Sequence, residues 1–247
     1  MPEGSAAVLQ FGSEFSAIAS QRSSDRDWTA QTEVLGYGVL PEELEIVFVG
    51  DGRHTGKPGV GKTTLLLRCR ECLASTFCGY SGGAMGQGTG YFNEDGTVRF
   101  HNCEYEFDGG RGATQLISIR DSADHQGGLR TSSYAKTSAF LIVFSLDSRS
   151  SFDRVASKWA HEVPPEVPVV LIGTKSDLGG LQVSFQEGQA MAKQIGAADY
   201  LECSALSGAG LDDVLDATMW AIVTDAGTET GRARLASLQP QAACNIM

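Results

Sequence analysis

Gly56, Gly61, Lys62 and Thr63 stand at the spacing of a phosphate-cradling loop: a glycine, four residues, then glycine, lysine and a hydroxyl residue. The run is preceded by the strand pattern 45–49, apolar from Ile46 to Val49, and followed by Thr64 and three leucines, the strand, loop and helix order that such a loop needs. Glycines let backbone N–H groups turn inward around an anion, and a helix N-terminus adds positive potential. Gly59, Val60, Gly61 and Thr64 belong to the same expected cradle. Lys62 would reach the outer phosphates, and the Thr63 hydroxyl would ligate Mg2+.

Three later segments add a base and a second metal ligand, in order along the chain. Asp121 opens the run Asp121-Ser122-Ala123-Asp124 after an apolar strand pattern at 114–119, where a carboxylate can hold the metal through water. Thr174-Lys175-Ser176-Asp177 follows the apolar run 167–172, at the end of a strand where open α/β sheets bind ligands. Asp177 can accept from the ring N–H and the exocyclic amine of guanine, a donor pair that adenine lacks. Lys175 can lay its alkyl stem over the base while its ammonium stays hydrated, and the segment holding Ser204 and Ala205 can offer a backbone N–H to the guanine carbonyl. The set points to GTP and GDP with Mg2+, and Asp177 argues against a P-loop ATPase.

The elements that must hold these residues alternate. Strands are expected at 45–49, 103–107, 114–119, 139–146, 167–172 and 199–202, and helices at 62–73, 151–162, 185–195 and 210–223. That is an α/β fold of the P-loop NTPase G-domain kind, a six-stranded mostly parallel sheet with helices on both faces. Asp108-Gly109-Gly110 marks a hairpin and one antiparallel edge strand. Residues 1–43, rich in Ser, Ala and Gly, read as a disordered extension, 44–224 as the domain, and 225–247 as a flexible tail.

The chain resembles the small GTPases of the Ras superfamily, and among them the Rho and Rac branch. Beyond the nucleotide motifs, the resemblance rests on Phe140-Leu141-Ile142-Val143-Phe144-Ser145-Leu146, Ser151-Phe152, Lys158-Trp159, the stretch from Gly188 to Lys193, and the stretch from Tyr200 to Leu206. It spans about residues 44–224 and is strongest from Ala139 onward. It implies a GTP/GDP molecular switch in signal transduction, read by effectors and served by exchange factors and activating proteins.

Four departures qualify the resemblance. Residues 53–58 are inserted between Gly50-Asp51-Gly52 and Gly59-Val60-Gly61-Lys62-Thr63, so two loop starts compete; Gly56 restores the spacing, and Pro58 removes one N–H. A retained intron would look the same. The family's Asp-x-x-Gly-Gln is here Asp121-Ser122-Ala123-Asp124-His125, which leaves His125 in the water-orienting place and implies slow hydrolysis. The first switch should lie near the glycine-rich stretch 79–90; Thr97 is the expected metal-binding threonine, with Thr89 in reserve. Phe77 is either a base-edge aromatic or an ordinary helix-end residue. Finally, Gly179-Gly180 runs almost directly into the next helix, so the extra helix of Rho proteins is expected to be missing.

Composition narrows the partners. A formal net charge of -11 and a pI near 4.8 argue against nucleic acid, whose phosphates select basic surfaces. Six cysteines without metal-ligand spacing read as free thiols of a cytoplasmic protein, expected to be a monomer. No apolar run approaches the roughly 18 residues that span a bilayer. Cys244-Asn245-Ile246-Met247 fits a prenylation box, so Cys244 would carry a farnesyl group and tie the protein loosely to the cytoplasmic face of the plasma membrane or other membranes. The other reading is a hydrolysis-deficient pseudo-GTPase serving as a membrane-associated scaffold.

Overall fold

The computed structural model describes residues 41, 43–52, 58–77, 89–92, 98–108, 114–121 and 134–238. Gly56, Thr97, Asp124, His125 and Cys244 lie outside them, as does the extension before Pro41. The chain runs β1 (Glu43–Gly50), α1 (Lys62–Phe77), β2 (Thr89–Phe92), β3 (Val98–Asp108), β4 (Thr114–Asp121), β5 (Thr137–Ser145), α2 (Arg149–Arg154), a π-helical turn (Val155–Trp159), α3 (Ala160–Glu162), β6 (Val169–Thr174), α4 (Phe185–Ile195), β7 (Asp199–Glu202), α5 (Leu211–Ala226) and α6 (Glu229–Leu238).

The strands form one sheet in the order β2-β3-β4-β1-β5-β6-β7. Pairing is parallel from β4 through β7 and antiparallel at β2–β3 and β3–β4. The β3–β4 hairpin pairs Asp108 with Thr114, as the intervening glycines suggested. The sheet has one strand more than the six expected: β2, which contains Thr89 and lies at the outer edge of the antiparallel side.

Alternation along β1 explains the two core layers. Leu44, Ile46 and Phe48 face Leu65, Leu66, Val214 and Ile222 beneath α1 and α5, whereas Val47 and Val49 join Phe140, Phe144, Trp159 and Tyr200 on the opposite face. All nine residues of β5 are buried, the pattern of a strand covered on both faces. The connection after β1 leads toward β2–β4 and that after β5 leads to β6, so their carboxyl ends flank a switch point where such sheets bind ligands.

Two expectations change at helix ends. Helix α1, expected over 62–73, continues to Phe77, about 22 Å along the axis from Lys62 at 1.5 Å per residue. Residues 229–238, expected within a flexible tail, form α6. Leu235 is fully buried, and Arg234 donates to the carbonyls of Thr137 (3.1 Å) and Ser138 (3.3 Å) and to the Asp225 carboxylate (2.7 Å). Burying Leu235 and satisfying three acceptors is what fixes a helix of weak amphipathic pattern.

Candidate functional site

The phosphate loop is organised around Lys62, the first residue of α1. The residue is 5 % exposed, and its ammonium donates to the Gly50 carbonyl at 2.7 Å. Gly50 has φ 151°, and a Cβ there would stand 2.2 Å from the Val143 carbonyl oxygen, so only glycine lets β1 turn into the loop this close to β5. The Val60 N–H donates to the Asp51 carbonyl at 3.4 Å, and Leu65 N–H to Gly61 at 2.8 Å begins α1. Asp51 and Val60 are therefore joined directly across the intervening residues. The carbonyl beneath the lysine belongs to Gly50, a residue that the motif spacing counted from Gly56 passes over; its signal was the pair Gly50-Asp51 at the end of an apolar strand.

Thr63 sits one residue into α1 and donates its hydroxyl to the Asp121 carboxylate at the end of β4. Lys62 Nζ lies 4.0 Å from the other Asp121 oxygen. Two hard oxygen donors from separate elements thus meet beside a buried ammonium, a donor set that suits Mg2+ better than a softer metal.

The base side is built from the ends of β6 and β7. Thr174 donates its hydroxyl to Val60 O at 2.6 Å and lies 3.0 Å from Phe144 O, tying this loop to the phosphate loop and to β5. Lys175 has φ 64°, a left-handed conformation that costs a side-chain-bearing residue on the order of 1–2 kcal/mol. Its ammonium approaches the two Asp147 carboxylate oxygens at 3.3 and 3.4 Å. Burial alone would push the Asp147 carboxyl up, but the Ser145 hydroxyl and the Lys175 ammonium outweigh it and hold it below its ordinary value. Asp147 was not among the expected site residues; no motif marks it, because its partner lies 28 positions away.

Asp177 accepts the Ser204 hydroxyl, and Ser204 Oγ in turn accepts from the N–H groups of Leu206 (3.2 Å) and Ser207 (3.0 Å). Ser176 N–H donates to Cys203 O at 3.1 Å, so the two loops are stitched together beside half-buried Ala205. Gly59, Val60, Gly61, Lys62, Thr63, Thr64, Asp121, Thr174, Lys175, Asp177, Ser204 and Ala205 all lie at the carboxyl ends of β1, β4, β6 and β7 or in the loops and helix start that follow them. Between Lys175 and Ser184 there is no helix; Ser184 directly caps α4, with Glu187 closing the capping box.

The sequence pattern of the Ras family matches residues 90–224, more than half of the chain. The chain belongs to the Ras family. Its similarity extends to Rho-related members: 42 % identity over 98 residues to Rho-related protein racN of Dictyostelium discoideum, covering 35 % of this chain and 45 % of racN. GTP-binding protein RHO1 of Candida albicans is 39 % identical over 131 residues, covering 47 % of this chain and 66 % of RHO1. GTP-binding protein rho2 of Schizosaccharomyces pombe is 36 % identical over 120 residues, covering 42 % and 60 %. The chain spans about half to two thirds of the length of these relatives. The Ras-family match begins after the phosphate loop, yet β1 is integral to the sheet it covers, since it lies between β4 and β5.

Proposed function

We propose that this Ras-family protein is a Rho-like switch that binds GTP and GDP with Mg2+, hydrolyses GTP slowly, and is read by effectors under exchange and activating factors. The observation that carries the reading is the convergence of Lys62, the Thr63–Asp121 pair and the Asp177–Ser204 pair on one edge of the sheet. Lys62 would bind the outer phosphates, Thr63 and Asp121 would hold Mg2+, and Asp177 would select guanine, with Lys175 over the base. Bound Mg2+ would neutralise phosphate charge. Thr97 is assigned to the metal in the GTP form, and Gly56 to the loop.

Slow turnover follows from two residues. At Asp124 a carboxylate about 5 Å from a phosphate charge would cost on the order of 3 kcal/mol at an effective dielectric near 20. His125 can polarise water, but with a geometry unlike that of glutamine. The domain is assigned to 44–224, with α6 as an added C-terminal helix. Cys244 is the proposed lipid site, and the protein is placed in the cytoplasm with weak membrane association. Because Arg234 is engaged with Asp225 and β5, it has little to offer an anionic membrane, so a single lipid would anchor the protein only reversibly.

The test is to identify nucleotide extracted from the purified full chain and to titrate GTP, GDP and ATP with Mg2+, followed by single-turnover hydrolysis. Tight guanine-selective binding with slow turnover is expected. No binding, or binding of GDP alone, would move the reading to the scaffold, which the insertion 53–58 and Asp124 favour.

A further inference from the structure

Asp51 stands one residue beyond the carbonyl that receives Lys62, and its side chain is held from a distant part of the chain. The Trp159 indole N–H donates to Asp51 Oδ1 at 2.8 Å, and the Arg154 guanidinium donates to Asp51 Oδ2 at 3.1 Å. Arg154 immediately precedes the π-helical turn and Trp159 is its last residue; at its end the Ala160 N–H reaches back to the Val155 carbonyl. Such wide turns are rare and recur at functional sites. Trp159 is fully buried, and a buried indole N–H requires an acceptor. The two carboxylate oxygens are thus divided between an apolar anchor and a cation.

We propose that Trp159 and Arg154 form a latch on Asp51 that positions the phosphate loop and neutralises a carboxylate that would otherwise oppose nucleotide phosphate. This rests on the nucleotide-binding reading given above. The carbonyl of Asp51 closes the loop by accepting from Val60 N–H, while its side chain ties that same residue to the helical segment 149–162. One residue therefore fixes the stem of a loop that carries an insertion. Arg154 is a positioning residue in this scheme, and its charge counts in proportion to the phosphate charge of the ligand.

Off-rates of fluorescent GDP and GTP from the full chain decide the matter in the wild type, Arg154→Ala, and the double variant Arg154→Ala with Asp51→Asn. Arg154→Ala is expected to release GTP about tenfold faster, and GDP less so, since like-charge repulsion grows with ligand charge. Adding Asp51→Asn, which keeps an acceptor for Trp159 but removes the charge, restores release to within about twofold of wild type. Unchanged release in Arg154→Ala, or a defect that Asp51→Asn leaves in place, overturns the latch. A purely structural arginine would give a defect blind to residue 51. If the wild type retains no guanine nucleotide, the proposed function falls by itself. Hydrogen exchange then decides the latch: Asp51→Ala must raise amide exchange across residues 58–66, and unchanged exchange there overturns it.

Discussion

Thr174 donates its hydroxyl to the carbonyl of Val60 at 2.6 Å, joining two loops that are 114 positions apart in the chain. Thr174 is 2 % exposed, and its hydroxyl lies close to Phe144 O as well, so one buried group holds the phosphate loop, the base loop and β5 in register. The consequence is mechanical: neither loop can shift without breaking a bond to the other.

Replacement by an isostere without the hydroxyl isolates that bond. Thr174→Val is expected to cost about 1–3 kcal/mol, the penalty for leaving buried acceptors unmatched. A lower melting temperature and faster nucleotide release should both appear, and Thr174→Ser should recover most of each. A Thr174→Val protein with wild-type melting would count against the role.

Because Val60 N–H already reaches Asp51 O, the two sides of the insertion are joined. Deleting residues 53–58 leaves Asp51 and Val60 as the ends of an ordinary tight turn, and the shortened protein is expected to fold. Shortening a loop changes closure entropy only slowly, so melting should stay within a few degrees on about 1 kcal/mol. Thermal unfolding of the deletion variant checks this, and aggregation on expression would contradict it.

Helix α4 approaches β7 through a glycine. A Cβ on Gly188 would stand 2.0 Å from the Tyr200 ring, whose hydroxyl donates to Glu202 at 2.7 Å. Gly188→Ala is therefore expected to destabilise by about 1–3 kcal/mol despite alanine's better helix propensity. The ring must move or the helix must lift. Denaturant unfolding measures the loss, and a neutral or stabilised variant would refute the packing argument.

Cys203 lies beneath the base loop with no exposed surface, and burial pushes its thiol from 9.0 up to about 12. An acid whose folded-state pKa is raised keeps its stabilising effect below the unfolded value and loses it as pH rises. Stability should therefore fall across about pH 9 to 12, as the unfolded thiolate forms. At pH 8 the native thiol should resist alkylation and react only on unfolding, as mass spectrometry of the Cys203 peptide would show. Rapid labelling of the folded protein would contradict it.

Much of this architecture was legible because local signals agreed with the tertiary outcome. Helix α4 occupies 185–195 as expected, with a capping box at Ser184 and Glu187 and a left-handed Gly196 at its end. Strand β7 at 199–202 likewise agrees. Strand β2 was missed, since Thr89-Gly90-Tyr91-Phe92 is short, contains glycine, and gains its hydrogen bonds only from β3. Helix α6 escaped for a related reason: its stability comes from Leu235 and Arg234 docking on other elements.

The sequence by itself determined the Ras-like order of phosphate, metal and base motifs, because each is a short run whose chemistry depends on residue type and local spacing. It also determined the parallel sheet, since buried strands announce themselves as apolar runs. Only the tertiary structure decided that Gly50 supplies the carbonyl beneath Lys62, that Asp147 steadies Lys175, and that Trp159 and Arg154 grip Asp51. Trp159 reaches Asp51 across 108 positions, a contact made when β1 and the helical turn pack against the same layer of side chains. Hydrogen-bond partners chosen by packing leave no periodic trace in the chain, so they become visible only when the sheet has brought them together.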